Sequence, residues 1–105
     1  MDAYLLAPST TASKKYDVFA QRSGKRIVSF GAKGYSDYTI PTGNNEQKKV
    51  NYIKRHAVNE DWTDLTKAGT WARFILWNKP TIGESVKDME RRFHIHIKFV
   101  QFVPS

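Results

Sequence analysis

The chain has 105 residues, 40% hydrophobic and 13% aromatic, with 17 Lys and Arg against 10 Asp and Glu for a formal charge of +7. It has no cysteine, which excludes a disulfide scaffold and a thiolate-ligated zinc site, and no apolar run approaches the roughly 18 residues of a membrane span. One small domain is expected, with a core built largely from aromatic rings, and the positive excess favours a polyanionic partner such as nucleic acid, an acidic protein surface or anionic lipid.

Residues 1–13 read as a flexible N-terminal arm. Pro8-Ser9-Thr10-Thr11-Ala12-Ser13 is small, polar and aperiodic, so it is expected to be mobile unless held. Met1 to Ala7 has no basic stretch, and its apolar run is too short for a secretory signal. Residues 14–105 read as a single domain. Lys15 to Gln21 alternates as a strand, Arg22-Ser23-Gly24-Lys25 is a turn, and Arg26 to Phe30 is a second strand, so the two form a hairpin. Pro41 to Asn45 is rich in helix and strand breakers. From there to His56 the pattern is helical, with Val50, Ile53 and Ala57 on one stripe. Asn59 to Asp64 is an acidic loop around Trp62.

A second helix is expected after Thr66 as its cap, with Ala68, Trp71, Ala72, Ile75 and Leu76 at helical spacing. Phe74 and Trp77 widen its apolar surface nearly all round, the pattern of a central helix or one covered by a partner. Asn78-Lys79-Pro80 ends it. Thr81-Ile82-Gly83-Glu84 is a capping box that opens a third helix with Ile82, Val86, Met89 and Phe93 on one stripe. His94 to Phe99 alternates as a last strand with Ile95, Ile97 and Phe99 inward, followed by Val100, Phe102 and Val103. The order is β-β-α-α-α-β. The last strand is expected to join the hairpin in a small sheet backed by about three helices, an α+β fold.

Few residues spell out chemistry. Gly31-Ala32-Lys33-Gly34 is too short for a P-loop, lacks the third glycine of a dinucleotide fingerprint, and follows a strand where the loop of a KH domain joins helices. It reads as a strand-ending turn with Lys33 as its one charge. His94 and His96 are spaced to share a strand face, and His56 is the third histidine. No carboxylate accompanies the pair, and no metal or other cofactor is expected. The carboxylates Asp37, Glu60, Asp61, Asp64, Glu84, Asp88 and Glu90 read as caps and solvated charges. No serine or threonine sits in a nucleophile elbow, so the chain is expected not to be an enzyme.

Two surfaces remain. Lys33, Lys48, Lys49, Lys54 and Arg55, with Arg91 and Arg92, are candidates for contacting phosphates of DNA or another polyanion. Tyr4, Leu5, Leu6, Phe74 and Trp77 are candidates for contact with a protein partner.

The string Phe30-Gly31-Ala32-Lys33-Gly34-Tyr35-Ser36-Asp37-Tyr38-Thr39-Ile40, followed in order by Tyr52-Ile53-Lys54-Arg55-His56, Asn59-Glu60-Asp61-Trp62, Ala68-Gly69-Thr70-Trp71-Ala72-Arg73 and Leu76-Trp77-Asn78-Lys79-Pro80-Thr81-Ile82, resembles a family of small basic proteins of the nucleocytoplasmic large DNA viruses of eukaryotes. These strings are not a catalytic signature, and no site residue comes with them. The resemblance implies a viral protein found in the virion and, during infection, in the host cytoplasm or nucleus. The expected function is that of a non-enzymatic virion structural component, a minor or internal capsid protein, whose partners are capsid subunits or other viral proteins. The alternative is a nucleic-acid-binding protein that contacts phosphates through a basic helix face.

Overall fold

A computed structural model describes residues 2–40 and 45–100. The two alternating segments form strands β2 (Lys14–Ala20) and β3 (Arg26–Ala32), antiparallel to each other, with Val18 opposite Val28 and Tyr16 opposite Phe30. Gly24 turns the chain between them at φ 73°, a conformation open to glycine at little cost. The hairpin is thus as read. Its neighbours are not.

Residues Ala3–Pro8 form a strand, β1, in the interior of the sheet rather than an arm. β1 pairs antiparallel with β2, with Leu6 opposite Val18. On its other side it pairs in parallel with the last strand, β4 (His96–Phe99), with Tyr4 opposite Ile97 and Leu6 opposite Phe99. The sheet order is β3-β2-β1-β4, so β4 joins β1 and not the hairpin. A parallel neighbour needs a long crossover, and the three helical segments supply it. The fold is α+β, in the order β-β-β-α-α-α-β.

One face of the sheet carries Leu6, Val18 and Phe30, all at most 1% exposed, with Tyr4, Tyr16, Val28 and Phe99 beside them. The helices cover that face. α2 (Ala68–Trp71) runs directly into a π-helical turn over Ala72–Leu76, closed by Trp77 N–H donating to the Ala72 carbonyl at 3.1 Å. Thr66 does not cap it, because its N–H and hydroxyl both bond the Asp64 carboxylate (2.9 and 2.6 Å). Trp71 is wholly buried. Its ring meets Tyr4 edge-on at 5.4 Å and lies nearly parallel to Phe30 at 6.4 Å, and its indole N–H donates to the Leu65 carbonyl at 2.9 Å.

The third helix, α3 (Ile82–Phe93), matches its reading closely. Thr81 caps it by accepting from the Glu84 N–H at 3.2 Å, and Val86 and Met89 enter the core. His94 ends it in the left-handed region at φ 54°. His94 is therefore a helix cap outside β4, and the two-histidine strand face does not form. Among the described residues no three His, Asp or Glu side chains converge as metal ligands.

The first helix, α1 (Glu46–Ala57), is capped by the Asn45 side-chain oxygen Oδ1, which accepts from Gln47 N–H at 2.8 Å. Its packed face is not the aliphatic stripe. Val50 is 38% exposed, whereas Tyr52 is buried and stacks on Trp77 with ring centroids 4.8 Å apart. One large ring against another buries more area than the short Val and Ala side chains can. The loop reading over 41–44 and the residues Phe102 and Val103 lie outside the described residues.

The Gly31–Gly34 segment is the turn that the sequence implies. Gly31 has φ 79° and Gly34 φ 90°. A Cβ on Gly31 would lie 2.9 Å from the Leu76 side chain and 3.0 Å from Lys15 Cβ, while one on Gly34 would meet nothing within 4 Å. Gly31→Ala is expected to cost about 2–4 kcal/mol, from the left-handed backbone and from overpacking. Gly34→Ala is expected to cost about 1–2 kcal/mol, from the backbone alone. Urea unfolding of both variants checks this, and equal losses would mean that the Leu76 contact contributes nothing.

Candidate polyanion-binding groove

The turn after β3 and the face of α1 that carries Tyr52 enclose an open groove of about 540 Å3. One wall is Gly31, Ala32, Tyr35, Ser36 and Asp37. The other is Lys48, Asn51, Tyr52, Arg55 and His56, with Lys15, Ala72, Leu76 and Trp77 completing the lining. The helical wall is a single stripe, since positions 48, 51, 52 and 55 fall on one face at 3.6 residues per turn.

Lys15 holds the other wall in place. Its ammonium donates to the Asp37 carboxylate at 2.5 Å and to the Tyr35 carbonyl at 2.6 Å, and both partners of the ion pair are nearly buried. Asp37 in turn accepts from the Thr39 N–H at 2.8 Å and from its hydroxyl. This pair is neutral as a unit. The net charge of the groove therefore comes from Lys48 and Arg55, both exposed and neither in a salt bridge among the described residues.

Behind them the rings of Trp77, Tyr52 and His56 form a column, with centroids 4.8 and 4.3 Å apart. Burial and the nearby Glu60 carboxylate push the Tyr52 hydroxyl up to about 12, so it stays neutral. The His56 ring nitrogen Nδ1 lies 3.5 Å from the Glu60 carboxylate.

The basic residues picked from the sequence thus separate. Lys48 and Arg55 line the groove together. Lys33 is exposed on the adjoining turn, and Lys54 is exposed on α1 outside the lining. Lys49 points elsewhere, with its ammonium 4.9 Å from the centre of the Tyr38 ring. Burial holds its pKa below the ordinary value, and the positive charges of Arg73, Lys79 and Arg92 add to the effect. Arg91 and Arg92 are engaged by Asp88, whose carboxylate also accepts from the Asn78 amide at 2.7 Å. Burial alone would raise the Asp88 pKa. The hydrogen bonds from Asn78, Arg92 and Arg91 outweigh it and hold the carboxyl well below the usual range. These two arginines tie α3 together and do not reach the groove lining.

Two of the five candidate protein-contact residues are internal. Leu6 is 0% exposed and Phe74 9%, both inside the core. Neither can meet a partner while the domain is folded. For Leu6 and Phe74 the expectation does not hold, because an apolar run in a strand hydrogen-bonded on both sides resembles an anchor segment, and because the wide apolar surface of the second helix is consumed by the sheet, α3 and Tyr52. Tyr4, Leu5 and Trp77 are half-buried.

Lys15, Tyr35 and Asn51 line the groove although the sequence does not single them out as site residues. For Asn51 the signal was present in the 48-51-52-55 stripe. For Lys15 and Tyr35 none was, because a residue on β2 and one on the turn after β3 meet only through hairpin register.

No curated protein and no solved structure matches the chain. A family model does, over residues 4–56: the family of unknown function DUF5754. The chain belongs to that family. The matched stretch spans β1 to β3, the turn and α1 up to His56, so it includes both walls of the groove but not Trp77 behind them.

Proposed function

We propose that the protein binds a polyanion, the phosphate backbone of a nucleic acid, along the groove between the Gly31–Asp37 turn and α1. The observation that carries this reading is the pairing of two cations, Lys48 and Arg55, without ion-pair partners among the described residues, on one helical stripe beside a wall whose own charges are internally neutralised. Cations without carboxylate partners leave a local positive field that phosphates can neutralise with release of counterions. In a virus particle, the setting that the viral resemblance implies, such a protein would lie against the genome, and its role as a structural component would be that of an internal rather than a shell protein.

Salt dependence tests the reading. The logarithm of the affinity for an oligonucleotide should fall linearly with the logarithm of salt concentration, by about 0.7 per phosphate contact for a single strand and about 0.9 for a duplex. The double variant Lys48→Gln/Arg55→Gln should weaken binding and reduce that slope by about two contacts' worth, with the melting temperature unchanged because both side chains are exposed. An unchanged slope in the double variant would remove the groove as the binding surface.

A further inference from the structure

Tyr35 is the one tyrosine of five whose ring the fold leaves in solvent. It is 73% exposed. The others are occupied: Tyr4 packs on Trp71, Tyr16 on Phe30 and Phe99, Tyr38 is buried with its hydroxyl on Glu46, and Tyr52 stacks on Trp77. What the fold uses of Tyr35 is its backbone. The carbonyl receives the Lys15 ammonium at 2.6 Å and the N–H donates to the Ala32 carbonyl at 3.3 Å. An aromatic ring is thus carried on a fastened turn beside the groove, across from Lys48 and Arg55, without a packing role of its own. The backbone beneath the ring is already held, so binding a flat partner has only the side-chain torsions left to order.

From this arrangement we infer that the groove takes single-stranded nucleic acid, with a base stacked on Tyr35 while neighbouring phosphates meet Lys48 and Arg55. The inference rests on the polyanion reading above and adds the strandedness of the ligand. Duplex bases are stacked on one another and offer no open face to a side chain, whereas a single strand does. Cationic grooves with aromatic platforms are the general solution for binding single strands without sequence preference, because every base has a π-face. At about 540 Å3 the groove is on the scale of a small-ligand pocket, room for an unstacked base and its phosphate.

The experiment is fluorescence anisotropy at one fixed low salt concentration. The full chain is titrated with three probes: an oligothymidylate, a duplex of equal length, and heparin as a polyanion without bases. The oligothymidylate should bind more tightly than the duplex. Tyr35→Ala should lose about tenfold or more on the oligothymidylate, the usual effect of removing one stacking ring, and little on heparin. Tyr35→Phe should keep the affinity, since it keeps the ring. The inference is overturned if the duplex binds as tightly as the single strand, if Tyr35→Ala leaves oligothymidylate binding intact, or if it weakens heparin equally. If Lys48→Gln/Arg55→Gln leaves both the oligothymidylate and heparin affinities unchanged, the groove reading itself fails, whatever Tyr35 does.

Discussion

Replacing Trp71 with alanine is expected to lower the unfolding free energy by about 3–5 kcal/mol. A domain of this size has only about 5–15 kcal/mol to lose. The ring is the contact point between the sheet and the helical layer: wholly buried, flanked by Tyr4 and Phe30, and anchored by its indole N–H to Leu65. Truncation would remove that packing, open a cavity, and leave the Leu65 carbonyl without its donor. Trp71→Phe separates the contributions, since it keeps most of the apolar volume and loses the hydrogen bond, worth about 1 kcal/mol on average. Urea unfolding followed by far-ultraviolet circular dichroism reads both variants. A loss below about 1 kcal/mol for Trp71→Ala would show that Trp71 is not the centre of the core.

Leu6→Ala should cost about 2–5 kcal/mol, the range for a fully buried leucine. This result distinguishes two views of residues 3–8. If they formed an arm gripping a neighbour, the substitution would leave the isolated protein's stability unchanged and weaken an assembly instead. As an interior strand, with Leu6 between Val18 and Phe99, β1 makes the isolated domain depend on that side chain. A stability within about 0.5 kcal/mol of the parent would contradict the interior placement.

What the sequence revealed depended on whether the signal was local. α3 has a capping box and an apolar stripe close together in sequence, and its reading stands. The β2–β3 hairpin has alternation on both arms and a glycine where the turn requires positive φ, and it stands too. β1 carries no alternation, because Leu5 and Ala7 are as apolar as Tyr4 and Leu6. A strand with neighbours on both edges and little exposure on either face shows no alternation to detect. The packed face of α1 differs from its aliphatic stripe because the Tyr52 ring buries more than Val50 and Ala57 can, and because the half-buried Lys49 lies over the Tyr38 ring, as long polar side chains also pack along their stems. The π turn at Ala72–Leu76 has no signature of its own in these residues. The groove was half legible. Its cations lie on one helix within eight residues, whereas the turn that faces them is fixed by a lysine on β2.

The parallel pairing of β1 with β4 also sets how the chain closes in time. The β2–β3 hairpin joins across a few residues, whereas Ala3 meets His96 only after nearly the whole chain between them has been brought round. Loop-closure entropy grows slowly, about 0.6 kcal/mol per doubling of length, so the long closure is affordable once the helices have condensed on the sheet. Until then β1 has one unpaired edge. On a ribosome, that edge waits for the last strand to be synthesised, and during this interval the chain is most open to pairing with another copy of itself.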